Sequence, residues 1–167
     1  MSEVLDRPKS AFRLERPYDG DILVTAVPYD FLAEEFMRTG PLMEKAAKSS
    51  HGRFQVEDLF DACVERRMTL WIVVWMPVGQ SREYLAVLFT SVRHYPRKRA
   101  LRVDFAAGTR MTEWLGKFAL AYEEAARMEG CDLMEGGGRL GWGRVFKKIG
   151  LQPTGYYFEA EVSDAQR

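Results

Sequence analysis

Two carboxylates in this sequence stand just ahead of glycine-bearing turns. Asp104 precedes Phe105-Ala106-Ala107-Gly108, and Glu135 precedes Gly136-Gly137-Gly138. Each also has an ordinary solvated reading, because surface strands and turns carry such residues routinely. The triglycine followed by Arg139 would offer backbone donors to a phosphate, but a P-loop needs Gly-x-x-x-x-Gly-Lys-Ser/Thr, and that pattern is missing. The glycines are read instead as letting a sheet splay, with Arg139 and Arg144 pairing with acidic neighbours. Cys63 and Cys131 are far apart with no CxxC, and His51 and His94 are isolated. Neither a disulfide framework nor a zinc site follows from such spacing, so no metal is expected. The stretch 93–102 is basic (Arg93, His94, Arg97, Lys98, Arg99, Arg102). It reads as a solvated hairpin turn, with contact to nucleic acid or an acidic surface as the less favoured alternative.

The elements that must position these groups follow from pattern. At 167 residues the chain is one domain by size. Hydrophobic residues make up 47%, enough for a sizeable core. Lys+Arg and Asp+Glu both total 24, so there is no basic excess of the kind a dedicated nucleic-acid binder carries. Zero net charge also gives little colloidal repulsion, which suits a subunit held in an assembly. No apolar run is long enough to span a membrane. The first residues lack the apolar core of a signal peptide, so a reduced, intracellular chain is the expectation.

Residues 1–20 are polar and proline-punctuated and read as an arm. The folded domain is expected over 21–162, with a polar tail at 163–167. A β-branched run at 21–27 predicts a strand. Asp30 is the expected N-cap of a helix over 31–38, which Gly40-Pro41 breaks, with a further turn or two at 42–48. Val56, Leu59, Phe60, Cys63 and Val64 form one helical stripe, so Cys63 is read as a core residue. Residues 68–76 are apolar on both faces, as in a doubly covered central strand, and Trp71 and Trp75 share one face. With 84–93 this strand should form a hairpin. Residues 100–105 alternate, Leu101, Val103 and Phe105 on one face and Arg102 and Asp104 on the other. After a turn at Ala106-Ala107-Gly108 a long helix starts near Thr109 or Thr112, either of which is a plausible N-cap. It buries Trp114, Leu115, Phe118, Tyr122 and Ala125 and ends at Gly130. A short strand at 131–134, a short helix at 141–149 and a closing strand at 155–162 complete the chain. Tyr156 and Tyr157 on that last strand read as packing or edge residues.

This order of strand, helices, three-strand meander, long helix, strand, short helix and strand resembles the GNAT acyltransferase fold. That implies a single α/β (α+β) domain with a mixed central sheet of about six or seven strands flanked by helices. The run Gly138-Arg139-Leu140-Gly141-Trp142-Gly143-Arg144, then a short helix and Gly150-Leu151, looks like small GNAT-like proteins of tailed bacteriophages, including internal virion proteins. In GNAT enzymes a loop of the type Arg/Gln-x-x-Gly-x-Gly/Ala follows the fourth strand and cradles the pyrophosphate of acetyl-CoA. The matching place here has one glycine, not two. The resemblance would put the cofactor contacts at Ala107, Gly108, Thr109 and Arg110, and a general base at Asp104 or Glu135. The short helix has no Tyr to protonate a leaving thiolate. On that ground the expectation is a non-catalytic GNAT-fold phage protein with no cofactor. It would serve as a structural or adaptor component among other virion proteins, made in the host cytoplasm and carried in the particle. The alternative is an acetyl-CoA-dependent N-acetyltransferase acting on a small amine or protein amine.

Overall fold

A computed structural model describes residues 20–138, 142–155 and 159–160. The arm at 1–20, the tail, Arg139, Tyr156, Tyr157 and most of the expected closing strand lie outside these residues, apart from Gly20. Five strands form one sheet in the order β1-β2-β3-β4-β5. They are β1 (Gly20–Ala26), β2 (Thr69–Pro77), β3 (Glu83–His94), β4 (Arg99–Gly108) and β5 (Leu133–Gly136). The first four are antiparallel neighbours, and β5 runs parallel to β4. The sheet is thus mixed, in a single α+β domain, with five strands among the described residues where six or seven were expected. Among the described residues no helix is long and apolar enough to cross a membrane.

The helices divide between the two faces because the apolar residues of β2 and β3 alternate. Leu70, Ile72, Val74, Val87 and Phe89 pack with α1 (Leu32–Arg38), α2 (Gly40–Lys48) and α3 (Val56–Val64). Trp71, Val73, Ala86 and Leu88 pack on the other side with α4 (Met111–Met128). Trp75 packs partly buried into the same cluster as Trp71, as strand geometry requires. Cys63 is buried in the first cluster, and Val64, expected beside it, is exposed instead. Asp30 caps no helix; it lies in a 3₁₀ turn, Tyr29–Phe31, and α1 begins at Leu32.

β4 departs from its sequence pattern in a way that shapes everything near it. Phe89 pairs with Phe105, but Thr90 pairs with Val103, so Asp104 is an extra residue on β4, a β-bulge. The alternation expected through 100–105 therefore breaks. Leu101 and Val103 join the α4 side, whereas Phe105 turns to the opposite face against Phe54 and Phe89. The expected turn at Ala106-Ala107-Gly108 is also corrected: these residues remain in β4, paired with Leu88, Val87 and Ala86. Gly108 is held tightly there. A Cβ on it would sit 2.4 Å from the Cβ of Ala86 and 2.5 Å from the carbonyl oxygen of Leu85.

α4 is fastened at both ends by left-handed residues. Its C-terminus closes in a Schellman arrangement: Gly130, at φ 64°, donates to the Arg127 carbonyl (3.0 Å), and Cys131 donates to the Ala126 carbonyl (2.8 Å). At the N-terminus the cap is Arg110 at φ 55°, not Thr109 or Thr112, and no side chain caps the helix. The buried stripe is Trp114, Leu115, Phe118, Tyr122 and Ala126, one residue on from the expected Ala125. β5 begins two residues later than expected, which puts Glu135 and Gly136 in the strand. α5 (Trp142–Lys147) sets Val145 and Phe146 against the α4-side core.

Gly108→Ala should lower stability by about 1–3 kcal/mol, because the contacts to be relieved are backbone and a buried Cβ. Urea unfolding of the variant, with a reduced midpoint and unchanged slope, checks this.

Candidate functional site

The parallel pairing of β4 and β5 is short. Ala100, Leu101, Arg102 and Val103 lie beside Leu133, Met134, Glu135 and Gly136, and β5 gives no partner beyond that. β4 runs on from Asp104 to Gly108, roughly 16 Å of strand at about 3.3 Å per residue, hydrogen-bonded on one side to β3. The bulge bends β4 at the residue where β5 stops following it. The outcome is a vertex at Val103 and Gly136, from which a strand edge with no partner among the described residues leads to the start of α4.

The two sequence-predicted carboxylates meet at this vertex. Asp104 is almost wholly enclosed, its side chain 4% exposed. Its Oδ2 accepts from Ser91 Oγ (2.5 Å), and its Oδ1 accepts from Arg93 Nη2 (2.9 Å) with Arg102 Nε at 3.5 Å. Glu135 lies beside Arg102 across the β4–β5 pair. Its Oε1 accepts from the Tyr95 hydroxyl (2.7 Å) and is 3.9 Å from Arg102 Nη1, and its side chain stays 28% exposed. Arg102 therefore bridges the carboxylates. The hydrogen bond to Glu135 holds the Tyr95 phenol above its ordinary pKa. Beneath the vertex the Tyr122 hydroxyl lies 2.5 Å from the carbonyl of Leu101 and 2.9 Å from that of Glu135, tying β4 to β5. Burial pushes its pKa well up, so it remains a neutral donor.

The other predicted group sits at the far end of the open edge. Ala107 packs on the α1–α3 side, and Gly108 presses on β3. The Thr109 N–H donates to the Leu85 carbonyl (2.8 Å). The Arg110 guanidinium lies over the Trp75 ring at 4.6 Å and makes three contacts of 2.6 to 3.0 Å with the Glu113 carboxylate, with Glu83 at 4.0 Å. Met111 and Thr112 open α4, so their N–H groups precede the intrahelical ladder and point out of its positive end.

Sequence reasoning missed Ser91, Tyr95, Glu113 and the bridging part of Arg102. Only Arg102 left a signal, lying two residues from Asp104 on the same strand. The basic stretch 93–102 is largely compensated: Arg93 and Arg102 by Asp104, Arg99 by Glu129, and Arg102 also by Glu135. Among the described residues no group of three or more His, Cys, Asp or Glu side chains is arranged to hold a metal ion.

No protein-family model and no curated sequence matches the chain. Solved structures do. An acetyltransferase of Trypanosoma brucei superposes with a TM-score of 0.57 at 12% identity, covering 85% of this chain and 100% of its own. The aminoglycoside N-acetyltransferase AAC(6')-Iy, solved in complex with CoA, gives 0.59 at 13%, covering 87% and 97%. The glucosamine-6-phosphate N-acetyltransferase of Arabidopsis thaliana gives 0.57 at 11%, covering 86% and 99%.

These neighbours overturn the expectation of a non-catalytic virion component. All three are acetyltransferases, and none is a phage or particle protein. The left-handed position at the turn is taken by Arg110.

Asp104→Asn should cost about 1–2 kcal/mol, since the two guanidiniums lose their charged acceptor but keep partial access to water. Chemical denaturation measures it. Burial pushes the Cys63 thiol up to about 12. Ellman's reagent at pH 8 should therefore label the partly exposed Cys131 in the native protein and reach Cys63 only on unfolding. The chain has the GNAT acetyltransferase fold.

Proposed function

We propose that this protein is an acetyl-CoA-dependent N-acetyltransferase acting on an amine. The observation that carries the reading is the open edge of β4 from Asp104 to Gly108, which leads from a carboxylate-bearing vertex to a helix N-terminus. An extended ligand with amide groups can bond such an edge as an added strand would. The N–H groups of Met111 and Thr112, with the Arg110 guanidinium beside them, form a donor set that fits a diphosphate. Gly108 keeps the turn close to β3. Glu113 and Glu83 oppose an anion there and Arg110 offsets only one of the two charges, so the backbone donors of α4 carry the phosphate contacts. Ala107, Gly108, Thr109 and Arg110 would thus shape the coenzyme seat, although the Thr109 amide is already engaged by Leu85.

Bound acetyl-CoA would supply a thioester carbonyl that an amine nitrogen attacks, the C–N bond forming as the C–S bond breaks and the coenzyme leaves as a thiolate that takes a proton from solvent. Glu135 is the better general base of the two carboxylates. It retains access to solvent, whereas both oxygens of Asp104 are engaged by Ser91, Arg93 and Arg102. Glu135 would take the proton that the attacking nitrogen loses. Asp104 would act as a positioning residue, holding Arg102 beside Glu135.

Acetyl-CoA at about 100 times its Kd should stabilise the fold by about 2.7 kcal/mol, a rise in Tm of roughly 5–10 °C for a chain of this size. Thr112→Glu adds a carboxylate to the exposed first turn of α4. That suits the helix dipole, so the fold should keep its stability, while acetyl-CoA binding weakens about tenfold. A flat melting curve at millimolar acetyl-CoA would sink the proposal.

A further inference from the structure

Beside Glu135, on the far side of the vertex from the open β4 edge, lies a depression of about 570 Å³. It is lined by Tyr95, Pro96, Arg97, Lys98, Leu133 and Glu135. Its walls come from two elements. The β3–β4 turn closes with the Tyr95 N–H donating to the Lys98 carbonyl (2.8 Å), and β5 brings Leu133 and Glu135 alongside. The floor is apolar: the Tyr95 ring (46% exposed), Pro96 and Leu133 (38% exposed). Its lining carries charges of both signs. Glu135 is oriented by Tyr95 and Arg102. Arg97 and Lys98 belong to the same lining, and among the described residues neither has an acidic partner. Every other cation of the 93–102 strands and turn that faces this region is compensated, so these two set the local field. Leu133 lies beside Ala100 and Gly136 beside Val103, so the depression reaches the vertex within three residues, roughly 10 Å.

From this we infer that the depression is the acceptor subsite, and that it selects a small primary amine carrying an anionic group, a phosphate or a carboxylate. The inference rests on the acetyltransferase reading above. The amine meets Glu135, which is the base that must reach it, while Arg97 and Lys98 take the anion. An uncharged amine would leave both cations without a counter-charge and gain nothing from them.

The test compares O-phosphoethanolamine, β-alanine and ethanolamine as acceptors, with thiol release from acetyl-CoA as one readout. Binding to the protein without coenzyme is the second, followed by amide NMR shifts of residues 95–98 and 133–135. One or both anionic amines should exceed ethanolamine at least tenfold in kcat/KM, and which of them leads separates phosphate from carboxylate. The double variant Arg97→Ala/Lys98→Ala should collapse that ratio towards one, mainly through KM, and abolish the NMR shifts. Equal use of all three amines, or a ratio unchanged in the double variant, would overturn the subsite. If no amine is acetylated but the anionic ones still shift residues 95–98, the pocket stands and the acetyltransferase reading fails. If no amine is acetylated and no shift occurs, both fail.

Discussion

The extra residue at Asp104 governs the architecture around the vertex. A β-bulge adds one residue to a strand without adding one to its partner, so the strand bends and its side chains change faces. In β4 this moves Phe105 and Ala107 to the α1–α3 side, leaving Leu101 and Val103 under α4. A parallel neighbour must keep pace with the strand it pairs with, and β5 does so only through Val103. The bulge carboxylate is held by Ser91 and Arg93 from β3 and by Arg102 from β4 itself, so the irregular backbone is pinned by charge-assisted bonds. Tyr122 supplies the other clamp from α4, meeting carbonyls of both diverging strands. The opening of the sheet is therefore a built feature with fixed edges.

Electrostatically the molecule reaches zero net charge through local pairs. Cations and anions of β3, β4 and β5 alternate across neighbouring strands, so Arg93, Asp104, Arg102 and Glu135 form a continuous row. A row of this kind produces little long-range field. What it leaves is local polarity: a carboxylate with access to solvent at the vertex and two cations at the hairpin tip. The Arg110–Glu113 pair repeats the arrangement at the other end of β4.

That pair also accounts for a left-handed residue with a long side chain. Placing an L-residue other than glycine at φ near +55° costs on the order of 1–2 kcal/mol. At Arg110 the cost is offset by three contacts to Glu113 and by stacking over Trp75. His51 and Arg66 hold the same region of backbone space at other turns.

Much of the framework was legible in the sequence. The helical stripe through Cys63, the doubly apolar run carrying Trp71 and Trp75, the long helix and its Gly130 terminus are patterns of period 3.6 or 2, which burial imposes on neighbouring residues. The order of elements follows from those patterns, and the GNAT fold and the two candidate carboxylates from the resemblance that this order carries. The bulge was not legible, because an extra residue leaves an alternating string that can be phased either way, and pairing with β3 decides the phase. Nor could glycine counting reveal that Arg110 would take the left-handed position, since what offsets its strain comes from Trp75 on β2 and Glu113 on α4. The difference in exposure between Asp104 and Glu135 is likewise tertiary. It depends on which strands lie alongside each carboxylate, and residues distant in sequence, Ser91, Arg93 and Tyr95, are brought together only when the sheet closes.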